Sequence, residues 1–254
     1  MYGRTVNSFD QIDLIAPLQR ALREEGYSTP TPIQAGTIPP ALAGVDVLGC
    51  AQTGTGKTAA FALPILDYFA CERPKTVAKR PLALILAPTR ELAIQIGDSF
   101  DTYGRHVNIR HTLIYGGVGQ GRQVDALEKG VHVLIATPGR LLDLMEQQHV
   151  FLNRLQIFVL DEADRMLDMG FLPDLKRIIK VLPMRRQSLF FSATIPDNIR
   201  RLSDKLLYDP VRVDVAPQTT NVDLIDQRII FAGHRQKKPL LLQLITAGDV
   251  GQSI

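Results

Sequence analysis

The chain contains no tryptophan and only two cysteines, Cys50 and Cys71, among its 254 residues. Two thiols cannot build the disulfide framework of a small secreted domain, and no cysteine or histidine spacing matches a zinc site. A reducing, cytoplasmic setting is expected, with Cys50 closing an apolar strand and Cys71 ending a helix as buried or idle thiols. No apolar run approaches the roughly 18 residues that cross a bilayer, and Met1–Asp10 lacks the charged-then-apolar pattern of a signal peptide. A membrane role is therefore not expected. Charge of one sign is also scarce: a net charge of +3 is too small for a general polyanion-attracting field, so nucleic-acid binding requires a local arrangement of basic groups. The five histidines are scattered without partners at ligand spacing, and there is no internal repeat or low-complexity segment.

What is present is an ordinary globular composition, 45% hydrophobic and 22% charged, with enough chain for one complete domain plus a piece. Asp10–Arg23 carries Ile12, Leu14, Ile15, Leu18, Ala21 and Leu22 at helical spacing, and a second short helix is expected over Ile33–Leu42, stopped by Gly44. From Val45 the pattern becomes short apolar runs separated by helical stretches. The runs are Val45–Cys50, Leu82–Ala87, Arg110–Tyr115, Val131–Ala136, Ile157–Leu160, Ser188–Phe191 and Val211–Val215. Helices are expected over Lys57–Phe69, Glu91–Tyr103, Gly121–Lys129, Arg140–Gln147, Leu172–Leu182 and Pro196–Leu207. Runs without polar alternation belong to strands covered on both faces, so the fold class is α/β, a mainly parallel sheet flanked by helices on both faces. Ligands are then expected at the carboxyl ends of the strands. Beyond Val215, Ala216–Asp223 reads as a linker, Asp226–Phe231 as strand-like and Gln236–Ile245 as helix-like.

Between the first run and its helix stands Ala51-Gln52-Thr53-Gly54-Thr55-Gly56-Lys57-Thr58. Glycines that free backbone N–H groups, a helix start, a lysine and a hydroxyl together make a phosphate-binding loop. Lys57 reaches the outer phosphates and the Thr58 hydroxyl can ligate magnesium. Ala51 stands where the usual pattern opens with glycine. The run Ile157–Leu160 ends in Asp161-Glu162-Ala163-Asp164. Asp161 at the strand tip can hold magnesium through water, and Glu162 can orient and deprotonate an attacking water.

These four letters spell the signature of the DEAD-box ATP-dependent RNA helicases, and the chain resembles the first RecA-like domain of that family, in a bacterial-type form. The resemblance covers about residues 9 to 215; residues 1 to 215 are taken as domain 1, and 216 to 254 as a linker and the incomplete start of domain 2. Further motifs follow in family order. Gly26-Tyr27-Ser28-Thr29-Pro30-Thr31-Pro32-Ile33-Gln34, with Phe9 upstream, is similar to the adenine-recognising Q motif. It implies Gln34 as the adenine reader, with Phe9, Tyr27 and Pro30 beside the base, and Thr53, Gly54, Thr55, Gly56, Lys57 and Thr58 around the phosphates. Pro88-Thr89-Arg90-Glu91-Leu92-Ala93, Gly116-Gly117 and Thr137-Pro138-Gly139-Arg140 resemble the family's RNA-facing set. Each lies at a strand end, where backbone N–H groups with Arg90 and Arg140 can grip phosphates without reading bases. Ser192-Ala193-Thr194 resembles the coupling motif, whose hydroxyls would bond the turn containing Asp164.

The resemblance implies ATP as substrate, Mg2+ as cofactor, catalysis by Glu162 with Asp161 and Lys57, and single-stranded or short duplex RNA as partner. It also implies a second RecA-like domain of the same chain, needed to complete the site. On that basis the chain alone is expected to bind adenine nucleotide, turn it over very slowly and unwind nothing. The competing readings are a nucleotide-gated RNA clamp and a DNA-directed P-loop ATPase. A Rossmann dinucleotide enzyme is contradicted by Lys57-Thr58 and by the missing Gly-x-Gly-x-x-Gly turn.

Overall fold

Seven four- to six-residue strands form one sheet in the order β3-β4-β2-β5-β6-β1-β7, and every neighbouring pair is parallel. They are β1 Val47–Cys50, β2 Ala83–Leu86, β3 His111–Ile114, β4 Val133–Ala136, β5 Ile157–Leu160, β6 Gln187–Ser192 and β7 Val211–Asp214. This computed structural model describes residues 6–215 and 230–246. The central strands are buried throughout, which is why their sequence lacks polar alternation. Successive side chains still point to opposite faces. Ala83 and Ile85 of β2 join one core with Val133, Ile135, Ile157 and Val159, whereas Leu84 and Leu86 join the other with Leu134, Phe158 and Leu160.

The first core is closed by α1 Ala16–Glu24, α2 Pro32–Leu42, α3 Lys57–Glu72 and α4 Arg90–Gly104. The second is closed by α5 Gly121–Glu128, α6 Pro138–Glu146, α7 Ala163–Asp168, α8 Leu172–Lys180 and α9 Asp197–Leu206. Helices thus cover both faces, and the α/β expectation holds.

Several element ends shift by one to three residues, as in α3, which runs on to Glu72, and three differences have a local cause. The helix expected from Asp10 is instead a 3-10 turn, Phe9–Gln11, an extended stretch, and α1 from Ala16. Pro17 fixes the start of α1, while Ile12 and Leu14 enter the core from non-helical backbone and mimic a helical spacing. α6 begins at Pro138 rather than Arg140, with proline again in the first turn. α7 was not anticipated, because six residues are too few for an apolar period to show.

The chain divides into two units, Met1–Pro217 and Gln218–Ile254. In the second, α10 Lys237–Thr246 matches the expected helix and buries none of its residues. The expected linker Ala216–Asp223 lies outside the described residues, as does Asp226–Ile229 of the expected strand, while Phe231 at its end has no regular structure.

Candidate functional site

The strand order divides the carboxyl edge of the sheet. Adjacent β5, β6 and β1 end in Asp161, Ser192 and the phosphate-binding loop, while adjacent β3, β4 and β2 end at Gly116-Gly117, Thr137-Pro138 and Pro88-Thr89-Arg90. Residues scattered over the sequence therefore fall into two contiguous groups on one edge.

In the loop, Gly54 and Gly56 adopt φ of 79° and 89°, the left-handed region that glycine enters without steric cost. Gly56 is further constrained by space, since a Cβ there would clash with Gln34 Nε2. Gln52, Thr53 and Gly54 form an exposed crest, and Thr55 Oγ1 braces it by donating to the Gln52 carbonyl at 2.7 Å. Gly56 caps α3, so Lys57 and Thr58 are its first two residues. Lys57 is only 6% exposed; its Nζ stands 3.9 Å from Asp161 Oδ1 and has no hydrogen-bond partner. A buried ammonium without hydrogen bonds is costly unless an acceptor completes it.

Asp161 is buried, and that burial pushes its carboxyl up to about 6, with Lys57 opposing the shift and Glu162 reinforcing it. Its Oδ1 accepts the Glu162 N–H at 2.9 Å. Glu162 itself takes φ of 50°, rare for a side chain bearing a Cβ, and is also buried. Its Oε2 lies 3.2 Å from Arg165 Nη1, one turn along α7. The short unanticipated helix thus holds a carboxylate at the strand tip.

Asp164 ties β5 to β6. Its Oδ2 accepts the N–H groups of Ala193 at 3.1 Å and Thr194 at 2.9 Å and the Thr194 hydroxyl at 3.0 Å, and its own N–H donates to Ser192 Oγ at 3.2 Å. Burial alone would raise this carboxyl, but the Thr194, Arg165 and Ser192 hydrogen bonds outweigh it and hold Asp164 below the usual carboxylate range.

Gln34 packs against the loop. Its Oε1 accepts the Thr31 N–H at 2.9 Å and its Nε2 donates to the Gly56 carbonyl at 3.1 Å, which leaves one lone pair and one N–H of the amide uncommitted. Phe9 is tied instead to the start of the same segment, donating its N–H to the Ser28 carbonyl at 2.9 Å. Its ring is 3% exposed and lines a cavity of about 170 Å³ with Tyr27, whose own ring is 44% exposed and tilted against Tyr103. Pro30 is buried. The largest cavity described, about 910 Å³, lies elsewhere, at the amino ends of β3 and β4 beside Arg110 and His132.

On the other half of the edge Thr89 caps α4, its hydroxyl accepting the Leu92 N–H at 3.3 Å, and Arg90 projects exposed with its guanidinium carbon 5.0 Å from the centre of the Tyr115 ring. Pro88 is buried; Gly116, Gly117 and Gly139 are exposed, with Gly117 turned at φ of 79°. Arg140 points inward: it donates to the Val118 carbonyl at 3.1 Å, stands 3.6 Å from Asp143, and leaves Nη1 buried without a partner. It holds the turn that follows Gly116-Gly117.

A scan of protein families matches residues 31–202 to the DEAD/DEAH box helicases. The chain belongs to this family. It is 42% identical over 250 residues to the ATP-dependent rRNA helicase RRP3 of Meyerozyma guilliermondii, covering 98% of this chain and 51% of that protein. It is 41% identical over 244 residues to the DEAD-box ATP-dependent RNA helicase CshA of Streptococcus pneumoniae, covering 96% of this chain and 45% of that protein. The chain thus spans about half the length of the curated relatives it matches. Among solved structures it resembles a DEAD box protein from the hyperthermophile Methanococcus jannaschii, with a TM-score of 0.76 and 32% identity over 94% of this chain and 63% of that one.

The donor set of this DEAD-box domain fits a magnesium–nucleotide pair. The orphaned Lys57 Nζ and the glycine cradle suit a polyphosphate. Among the described residues no cluster of three or more histidine, cysteine, aspartate or glutamate side chains could hold a metal. One carboxylate, one hydroxyl and substrate oxygens are the donors magnesium commonly takes, the rest being water. Sequence reasoning missed Arg165 and the Tyr115 ring beside Arg90, and the contact of Gln123 with the Tyr115 backbone. Arg165 was hidden because α7 was, and Tyr115 and Gln123 because each reads as an ordinary strand or helix residue until their contacts are seen.

Proposed function

We propose that the chain is the ATP-binding core of an RNA-dependent ATPase that remodels or separates short RNA duplexes. The observation that carries this is the meeting of Lys57, Asp161 and the Gln34-braced Gly56 around one loop, with an unsatisfied buried ammonium at its centre. The exposed crest Thr53–Gly54 and the amides opening α3 wrap the phosphates, and Lys57 completes its hydrogen bonding on them. Gln34 offers its remaining lone pair and N–H to the N6 donor and N7 acceptor of adenine, with Phe9, Tyr27 and Pro30 shaping the base end. Thr58 and Asp161 would hold Mg2+, which when bound offsets phosphate charge. Glu162, held by its strained backbone and Arg165, orients the attacking water and takes its proton.

RNA is gripped through backbone groups and the Arg90 guanidinium at the ends of β3, β4 and β2, by Pro88-Thr89-Arg90, Gly116-Gly117 and Thr137-Pro138-Gly139, without base readout. Arg140 contributes by holding the Gly116-Gly117 turn. Asp164, with Ser192 and Thr194, links the nucleotide half of the edge to β6. A second RecA-like domain supplies the remaining arginines, and such an arginine is worth about 10³–10⁵ in turnover. This chain alone therefore binds adenine nucleotide, hydrolyses it very slowly and does not unwind.

The test is the affinity of fluorescent ADP, ATP and GTP for the chain, with and without single-stranded RNA. Adenine nucleotides should bind well above GTP, and Lys57→Ala should weaken phosphate binding by roughly 1.5–3 kcal/mol. Equal affinity for ATP and GTP removes the Gln34 assignment, and an unaffected Lys57→Ala removes the phosphate site.

A further inference from the structure

The guanidinium of Arg90 lies over the ring of another residue of the same edge, and the backbone of that residue is itself clamped. Arg90 Cζ stands 5.0 Å from the Tyr115 ring centroid. A guanidinium held over a ring by cation–π attraction keeps its N–H donors uncommitted, whereas an ion pair would consume them. Tyr115 follows β3, an edge strand of the sheet, so its peptide lacks a neighbouring strand on one side. Gln123, from the first turn of α5 and 8% exposed, supplies the missing partners. Its Oε1 accepts the Tyr115 N–H and its Nε2 donates to the Tyr115 carbonyl, each at 3.2 Å. One carboxamide thus imitates a strand and closes both polar groups immediately before the exposed Gly116-Gly117 turn.

We propose that Tyr115 and Gln123 are positioning residues for the nucleic-acid edge: the Tyr115 ring sets the guanidinium of Arg90 facing outward, and the Gln123 carboxamide sets the backbone that presents both the ring and Gly116-Gly117. This rests on the reading of that edge as the RNA track. Neither residue touches RNA in this account. Stacking pre-orders a long side chain that would otherwise lose rotamer freedom on binding, and an exposed cation–π contact is worth about 0.5–1 kcal/mol.

The test is binding of a labelled single-stranded oligouridylate to the whole chain at low salt, followed by anisotropy, for Arg90→Ala, Tyr115→Leu, Tyr115→Phe and the Arg90→Ala/Tyr115→Leu pair. Tyr115→Leu should weaken RNA binding about two- to fivefold, the affinity equivalent of one such contact. Tyr115→Phe, which keeps the ring, should bind as the unchanged chain does, and the double variant should be no weaker than Arg90→Ala alone. Gln123→Glu, nearly isosteric but without the donor, should lower RNA affinity while leaving ADP affinity close to the parent. Two results overturn the assignment: Tyr115→Leu binding as the parent does while Arg90→Ala is weakened, or the two losses adding in full. An unchanged chain that binds no RNA instead overturns the reading of the edge, and the positioning roles with it.

Discussion

Gly56 is placed where two independent demands coincide, a left-handed backbone and the absence of any side chain beside Gln34. Gly56→Ala should therefore cost about 1–2 kcal/mol of stability from backbone conformation alone. It should also erase the preference for adenine over guanine nucleotides, because the new methyl displaces the Gln34 amide; thermal melts with ADP and GDP titrations on one preparation check both. A Gly54→Ala variant, strained by φ of 79° but with open space around it, separates the two causes. It should lose stability to a similar degree yet keep the Gln34 contact. Asp164 makes a pH prediction. Its folded-state pKa lies below the ordinary 3.8 because hydrogen bonds from Thr194, Arg165 and Ser192 overcome the effect of burial. The stabilisation is complete above 3.8 and is lost as pH falls through the lower folded value. Carbon-13 titration should place the Asp164 midpoint below 3.8 in the parent and higher in Thr194→Val, and the gap in thermal midpoint between the two should close in acid. At this scale the loop and the acidic strand tip were legible in the sequence because glycine, lysine and carboxylate identities carry the chemistry directly. Arg165 was not, since its partner Glu162 becomes apparent only once α7 is known to be a helix.

Between elements, the sheet is fastened at its amino edge by one carboxylate. Asp46, just before β1, accepts the Ser188 N–H of β6 through Oδ1 at 2.7 Å and the Tyr208 N–H before β7 through Oδ2 at 2.8 Å. Beside it Gln187 Nε2 donates to the carbonyls of Ala41 and Val45, at 2.8 and 2.9 Å, so α2, β1, β6 and β7 share one polar seam. Asp46→Ala leaves two backbone donors without partners and should destabilise the domain by about 2–4 kcal/mol, given that bonds to a charged acceptor are worth more than neutral ones. Urea unfolding should show a lower midpoint with an unchanged m-value; an unaltered midpoint would refute the seam. The strands themselves were readable, because a fully buried parallel sheet writes unbroken apolar runs. Their spatial order was not. β3-β4-β2-β5-β6-β1-β7 depends on which crossover passes over which face, and no local pattern encodes that. The first helix begins later than its apolar spacing predicts for a related reason: Ile12 and Leu14 enter the core from non-helical backbone, and burial looks the same in a sequence whichever backbone delivers it.

At the scale of the whole chain, both cores and the carboxyl edge with its two groups of residues belong to Met1–Pro217, while Gln218–Ile254 forms a second unit. In that second unit α10 carries Leu241 and Leu242 each 57% exposed, Leu244 41% and Ile245 40%, and buries nothing. A segment this short cannot bury enough apolar surface to offset its own ordering entropy. Its stability contribution should accordingly be close to zero. A chain ending at Pro217 should melt cooperatively within about 2 °C of the full chain, since a change below about 0.5 kcal/mol shifts a domain of this size by no more than that. Its ADP affinity should also be the same, because Phe9, Gln34, Gly56, Lys57 and Asp161 all lie in the first unit. Hydrogen exchange on the full chain gives an independent reading: amides of β2, β4 and β5, whose side chains are buried on both faces, should exchange only through global opening, and those of α10 almost as freely as an unfolded peptide. Strong protection in α10, or a large drop in melting temperature on truncation at Pro217, would show that the second unit supports the first and would place the boundary of the cooperative domain further along the chain.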